Sequence, residues 1–233
     1  MSKLIVEDKQ VVVPGEIIAE GMDYLPSYGS QREGDHIVAL QLGLVSVNGR
    51  VIKIIPLNGR YVPRRDDTVI GYVQDNTYSS WFIDVGYAYD ASLSMKEATS
   101  EFIERGASLS KIFRSGDIVI TKITNVTKEK SIDLTMKAPG LRKITSGKVI
   151  EISAPKVPRV VGKQGSMISM IKEMTGCSIF AGQNGRIWIR GDDPNMEKVA
   201  TDAIYFIQEK SHVQGLTELV KKFLEKNTKE KKK

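Results

Sequence analysis

The chain is short of the residue types on which catalysis and disulfide scaffolds are built. Its 233 residues include one cysteine, Cys177, and two histidines, His36 and His212. One cysteine excludes an internal disulfide and suits a reducing compartment, hence a cytoplasmic protein. The two histidines lie in different segments and form neither a triad nor a metal set. The carboxylate pairs Asp66-Asp67 and Asp192-Asp193 sit in turn or capping contexts and read as structural. A self-contained nuclease would need a carboxylate–metal or histidine constellation, and none is visible. No apolar run approaches the roughly 18 residues of a membrane span. The start, Met1-Ser2-Lys3-Leu4-Ile5-Val6-Glu7-Asp8, meets acidic residues too early for a signal peptide. The expectation is a protein with no enzymatic activity, no cofactor, no metal and no membrane partner.

What is present is a globular composition with a basic balance. Hydrophobic residues make up 41% and charged residues 27%, with a net charge of +6. That is compatible with a nucleic-acid partner without establishing one. The predicted fold class is multidomain α+β, in three parts and a tail. Residues 1–65 read as short strands divided by turn signals: Val11-Val12-Val13 before Pro14-Gly15, Ile37 to Leu40, and Val45 to Ile52 around the hairpin pair Asn48-Gly49. No long helical period occurs there.

Residues 66–138 read as five short strands with one brief helix near Met95–Thr99, the pattern of a small closed barrel of OB type. Thr68 to Val73 is one strand. In Trp81-Phe82-Ile83-Asp84-Val85, Trp81, Ile83 and Val85 share one face while Phe82 and Asp84 share the other. Phe82 beside a carboxylate on the polar face is a candidate base-stacking platform. Gly116 to Ile120 opens another strand, and Ile123 to Met136 is a hairpin through Thr127–Ser131. Ala138 to Lys143 reads as a linker.

Residues 145–212 have the order β-α-α-β-β-α. The second and third elements flank Gly162-Lys163-Gln164-Gly165. Two glycines frame a tight turn carrying one positive charge at the start of a helix, where main-chain amides can face phosphate oxygens. The helix Ser166–Thr175 ends at Gly176, and its methionines read as core. Cys177 reads as a small buried hydrophobe. Gly182-Gln183-Asn184-Gly185 joins two strands, and Asp193-Pro194 caps the last helix. Residues 213–233 read as a short amphipathic helix (Leu216, Leu219, Val220, Phe223, Leu224) and a disordered lysine-rich tail from Lys226.

These residues carry three resemblances. Gly71-Tyr72-Val73, Trp81 to Val85, Gly116-Asp117 and Ile132 to Lys137 resemble the OB-fold RNA-binding domain repeated in the largest protein of the bacterial small ribosomal subunit. That family sets two aromatics and a histidine on its RNA face. Phe82 matches one aromatic, while the other falls at Ser79 and the histidine at Ser94. The resemblance thus shifts weight from stacking to the loop cations Arg105, Lys111, Arg114 and Lys122, as a surface that attracts the phosphate backbone. The third part resembles a KH domain, a family whose G-x-x-G turn, here Gly162-Lys163-Gln164-Gly165, clamps the RNA backbone.

The domain order, with Val13-Pro14-Gly15-Glu16, Ile54-Ile55-Pro56-Leu57 and Tyr61-Val62-Pro63, resembles the RNA-binding cap subunits of the archaeal exosome over nearly the whole chain. That resemblance implies a non-catalytic subunit, three copies of which sit on a hexameric ring of RNase-PH-like subunits. The N-terminal domain docks on the ring, and the other two capture single-stranded RNA and guide it into the pore for 3'-to-5' degradation. A free-standing transcription or translation factor is the alternative for the same modules. Elongation factors of that kind usually carry two KH units, and one is visible here.

Overall fold

The computed structural model of the chain describes residues 2–99, 109–211, 213 and 215–230; Arg105 lies outside them. The chain divides into two compact units, Met1–Gly59 and Arg60–Lys233.

The first unit is built from short turn-bounded strands, of which β8 alternates exposed and buried residues most clearly. They are β1 (Lys3–Leu4), β2 (Val11–Val12), β3 (Ile17–Glu20), β4 (Leu25–Pro26), β5 (Ser30–Glu33), β6 (His36–Ala39), β7 (Gly43–Asn48) and β8 (Val51–Pro56). They form two four-stranded sheets, β1-β3-β6-β5 and β2-β7-β8-β4. Val12, Ile18, Ile37, Val45, Ile52 and Ile54 fill one core. The Ser30 hydroxyl donates to the Ile52 carbonyl across the unit, 2.9 Å away. In the β7–β8 hairpin Asn48 pairs with Val51, so the turn residues are Gly49-Arg50. The Asn-Gly signal marks the hairpin but stands one residue early.

The second unit begins with the barrel: β9 (Thr68–Asn76), β10 (Ser80–Asp84), β11 (Ala91–Ser94), the single-turn helix α1 (Met95–Ala98), β12 (Ile118–Val126) and β13 (Ile132–Thr135). Neighbours run β13-β11-β10-β9-β12, and β13 pairs β12 to close the ring of five. The β11–β13 pair is parallel and the others are antiparallel. Val69, Val73, Trp81, Ile83, Leu93, Val119, Ile123 and Leu134 point inward. Trp81 is fully buried, lies edge-on to Phe113 at 5.2 Å, and donates its Nε1–H to the Phe113 carbonyl. The linker contains a further strand, β14 (Arg142–Ile144), which pairs Ile118, Val119 and Ile120 of β12. Unpaired β12 backbone at the barrel edge favours that pairing over a solvated connection.

The remainder is β15 (Lys148–Glu151), α2 (Val157–Val161), α3 (Ser166–Thr175), β16 (Ser178–Ala181), β17 (Arg186–Arg190), α4 (Pro194–Glu209) and α5 (Leu216–Glu230). The antiparallel sheet runs β15-β17-β16. Ile150, Ile179, Ile187 and Ile189 share one core with Val160, Met167 and Ile171 of the helices. Leu216, Val220 and Leu224 of α5 belong to the same core, and Phe223 stacks on Phe206 of α4 at 4.9 Å. The helix continues through Lys226 to Glu230, past the point where the lysine-rich composition suggested a tail. Its apolar stripe is anchored on α3 and α4, and the helix runs on from that anchor.

Barrel and KH-like sheet share a covered seam. β17 alternates isoleucines toward the helices with Arg186 and Trp188 toward the barrel, so it is buried on both faces. Trp188 packs with Ile70, Ile120 and Ile144, joined by Val149 and Phe180. The Arg186 side chain, 8% exposed, donates Nη2 to Asp84 Oδ2 at 2.6 Å, Nη1 to the Asp84 carbonyl at 2.7 Å and Nε to Glu151 at 2.9 Å. Its guanidinium also lies 4.6 Å over the Tyr72 ring. Asn184 bonds Ile70 N–H and both the Ile70 and Val85 carbonyls. Gln183 bonds Thr68 in both directions.

Arg186→Met should lower the unfolding free energy of this unit by about 2–4 kcal/mol, because Asp84 and two carbonyls lose a buried donor. Glu151 is 66% exposed, so Glu151→Gln should cost less than about 1 kcal/mol. Urea unfolding followed by tryptophan emission reads this unit alone, since Trp81 and Trp188 are the chain's two tryptophans.

Candidate nucleic-acid interface

The turn after α2 is set by its neighbours. Val160 on one side and Met167 and Ile171 on the other are anchored in the core, so the chain must reverse within Gly162–Gly165. Gly162 has φ 75°, and a Cβ there would stand 2.7 Å from the Met167 nitrogen. Position and space both demand glycine. Gln164 is left-handed at φ 53° and Gly165 has φ 80°. A Cβ at Gly165 would meet nothing within 4 Å, so the backbone there is bare. Lys163 and Gln164 are exposed. No side chain caps the start of α3, which leaves the positive end of the helix dipole at the turn. The arrangement offers main-chain amides, a helix N-terminus and one ammonium to an anionic backbone.

A second G-x-x-G occurs at Gly182–Gly185, with the opposite environment. Gly182, Asn184 and Gly185 are buried, and the Asn184 side chain is spent on the barrel. Spacing alone does not separate the two turns; burial does.

Phe82 stays at the surface, 38% exposed, on the outward side of β10. Asp84, two residues on, does not join it as a polar ligand, because it is the partner of Arg186. Of the expected loop cations, Lys111, Arg114 and Lys122 lie within the described residues. Lys111 is exposed in a single 3-10 turn (Leu109–Lys111). Arg114 is exposed in the turn before β12, its amide bound to Asp117. Lys122 lies within β12 and is tied to Asp66 Oδ1 at 2.8 Å. That ion pair holds the Asp66 carboxyl below its ordinary value.

The structure adds cations that the sequence reading placed elsewhere. A cleft of about 490 Å³ opens beside the seam, lined by Arg142, Lys143, Ser146, Trp188, Arg190 and Asp192 among others. The Arg142 guanidinium lies 5.1 Å from the Trp188 ring centre, and Lys143 pairs with Asp117. Burial pushes the Asp117 carboxyl up, but the Arg114 amide and the Lys143 ammonium outweigh it and hold it below the usual range. The R-x-W-x-R alternation of β17 was the available signal. It shows one face of mixed Arg and Trp without saying what covers it. Among the described residues no group of three or more His, Cys, Asp or Glu side chains is placed to hold a metal. Burial, then Asp67, pushes the Tyr61 phenol up, and burial does the same to the Cys177 thiol. Both are structural groups.

Residues 147–195 match the KH domain family. The exosome complex component Rrp4 of Thermococcus kodakarensis is 41% identical over 227 residues, covering 96% of this chain and 88% of that protein. The chain belongs to the Rrp4 family of exosome complex components. The Rrp4 of Methanothermus fervidus is 40% identical over 222 residues, covering 95% of this chain and 97% of its own. A crystal structure assigned to an exosome complex RNA-binding protein superposes with a TM-score of 0.67 at 34% identity, covering 74% of this chain and 99% of that one. The fold expected of the Rrp4 family, with its five-stranded barrel and KH domain, is the one observed.

Asp66 and Asp117 have folded-state values below that of an unfolded aspartate. Their stabilising effect is complete above about pH 4 and fades as pH falls through the folded value. Thermal melts from about pH 5 down to about pH 2 should therefore decline, and Asp117→Asn should reduce the decline. An equal slope in both proteins would show that Lys143 does not favour the ionised form.

Proposed function

We propose that this chain is a non-catalytic RNA-binding subunit of an exosome, which captures single-stranded RNA and passes it to the pore of a ring of RNase-PH-like subunits, three copies to a ring, in the cytoplasm. The observation that carries the reading is the exposed Gly162-Lys163-Gln164-Gly165 turn, its first glycine enforced by Met167 and its last left bare, on a KH domain locked to an OB-type barrel in a chain of the Rrp4 family. Both modules suit sequence-tolerant binding, in which phosphate contacts outweigh base readout. Lys163, Gln164 and the two glycines form the backbone clamp, and Phe82 is a stacking surface. Lys111, Arg114 and Lys122 contribute long-range attraction, with Lys122 the weakest because Asp66 already neutralises it. Several such sites on one assembly raise avidity through effective concentration.

The N-terminal unit supports the docking role. Val11, Leu44 and Ile55 are cross-strand neighbours over β2-β7-β8. Their side opposes buried Val12, Val45 and Ile54, and Val13, Leu42 and Leu57 continue it. Val11 is 51%, Val13 53% and Ile55 48% exposed. Such a contiguous apolar face marks a protein contact, and the ring subunits are the occupant proposed.

Two experiments test the parts separately. Lys163→Asp with Gln164→Asp should weaken binding of single-stranded RNA by the full chain on the order of tenfold at low salt, with a smaller effect in the assembled complex. Unchanged affinity would show the turn to be unused. Ile55→Glu with Leu57→Glu should abolish co-elution with ring subunits while leaving RNA affinity intact. Degradation of labelled RNA by the purified chain alone would overturn the non-catalytic reading.

A further inference from the structure

The cleft at the mouth of the seam is assembled from both of the domains that meet there. β14 supplies Arg142, the turn after it Thr145 and Ser146, and the facing sheet Ser178, Trp188 and Arg190. Arg142 pairs with Ile120 of β12 and shares its seam-facing side. Arg190 stands on the same face of β17 as Trp188, with Ser178 as its cross-strand partner.

An exposed arginine is ordinary, but this pair is presented on a built support. The Trp188 ring is 6% exposed and fixed, its Nε1–H donating to the Ser146 carbonyl at 2.7 Å. Gly147 makes that approach possible. It has φ 97°, and a Cβ there would stand 2.6 Å from both the Trp188 Nε1 and the Ile189 carbonyl oxygen. The Arg142 guanidinium lies 5.1 Å from the centre of this ring, so it is oriented before any ligand arrives.

The cleft also holds charge that the fold does not use. Lys143 is met by Asp117. Among the described residues, Arg142 and Arg190 have no ion-pair partner, and Asp192 is the one acid of the lining. Two guanidiniums beside three hydroxyls match an anion that accepts several hydrogen bonds. A phosphodiester does so, because a guanidinium takes its two free oxygens as a fork. A protein contact would centre on apolar side chains; here Ile144 and Trp188 are buried beneath the charged rim. The cleft is separate from the Gly162–Gly165 turn. α3 starts at that turn, and Gly176, next after its last residue, lines the cleft. The 10 residues of α3 set the two about 15 Å apart.

We infer that this cleft holds phosphates of single-stranded RNA, with Arg142 and Arg190 as the charged contacts. The inference rests on the RNA-binding role proposed above and adds a second backbone grip to it, on the barrel-facing side of the KH sheet.

The test measures binding of a fluorescent oligouridylate by the full chain across a salt series. Arg142→Gln with Arg190→Gln should weaken binding on the order of tenfold at low salt. It should also lower the slope of log affinity against log salt by about 0.7–1.4, the share of one or two phosphates on a single strand. Arg190→Gln alone, which leaves the Trp188 stack in place, should give about half that change. Arg142→Lys should keep the parent's slope while binding more weakly, because the charge stays and the fork is lost. Lys198→Gln removes the same charge from an exposed position of α4 and should leave affinity within about twofold of the parent. Melting temperatures should stay near the parent's, since all three side chains lie at the surface. Parental affinity and slope in the double variant would overturn the inference while leaving the RNA-binding role standing. So would an equal loss in Lys198→Gln, or a loss confined to ring-subunit association. A parent chain that bound no RNA at all would overturn the proposed function, and this inference with it.

Discussion

The buried guanidinium of Arg186 joins two domains that each have a complete core of their own. Desolvating a cation is costly unless its donors are used and its charge is met. Here Asp84 and Glu151 meet the charge, two backbone carbonyls of the barrel take further donors, and Tyr72 covers one face. Every one of those partners except Glu151 belongs to the barrel. The KH domain therefore cannot rotate on the barrel without stranding a charge in an apolar seam. Trp188, Ile70 and Ile120 add burial to that constraint.

The seam also decides how the candidate surfaces are used. It consumes Asp84, so Phe82 is left without the carboxylate its sequence neighbour promised. It consumes Asn184, which removes one of two G-x-x-G turns from any ligand and leaves Gly162–Gly165 as the open one. A rigid seam holds that turn and the β10–β11 face in one frame. A strand of RNA meeting both would then do so without the ordering cost that a flexible linker imposes. The barrel, the KH domain and α5 thus behave as one body, while the N-terminal unit keeps a separate core and its own apolar face.

Much of this was legible beforehand. The β-α-α-β-β-α order, the limits of α3 at Ser166 and Thr175, the Asp193–Pro194 helix start and the inward set Trp81, Ile83 and Val85 all follow from local periodicity and capping chemistry. The linker and the tail were less readable. Arg142–Ile144 is a strand because β12 offers it an unpaired edge, and α5 persists because α3 and α4 offer it an apolar groove. Neither contact can be read from the segment's own residues.

Domain order, family and the turn Gly162-Lys163-Gln164-Gly165 are written in the order of residues, because strand and helix periods, glycine spacing and cap residues act over a few positions. Which polar groups remain for a ligand depends on how distant segments pack. Asp84 and Lys122 read as surface chemistry, yet Asp84 is spent on Arg186 and Lys122 on Asp66, as Asn184 is on the barrel. Lys163, Gln164 and Phe82 stay free of the core. The reason is that burial and pairing are properties of two segments meeting, and no single segment encodes the other's arrival.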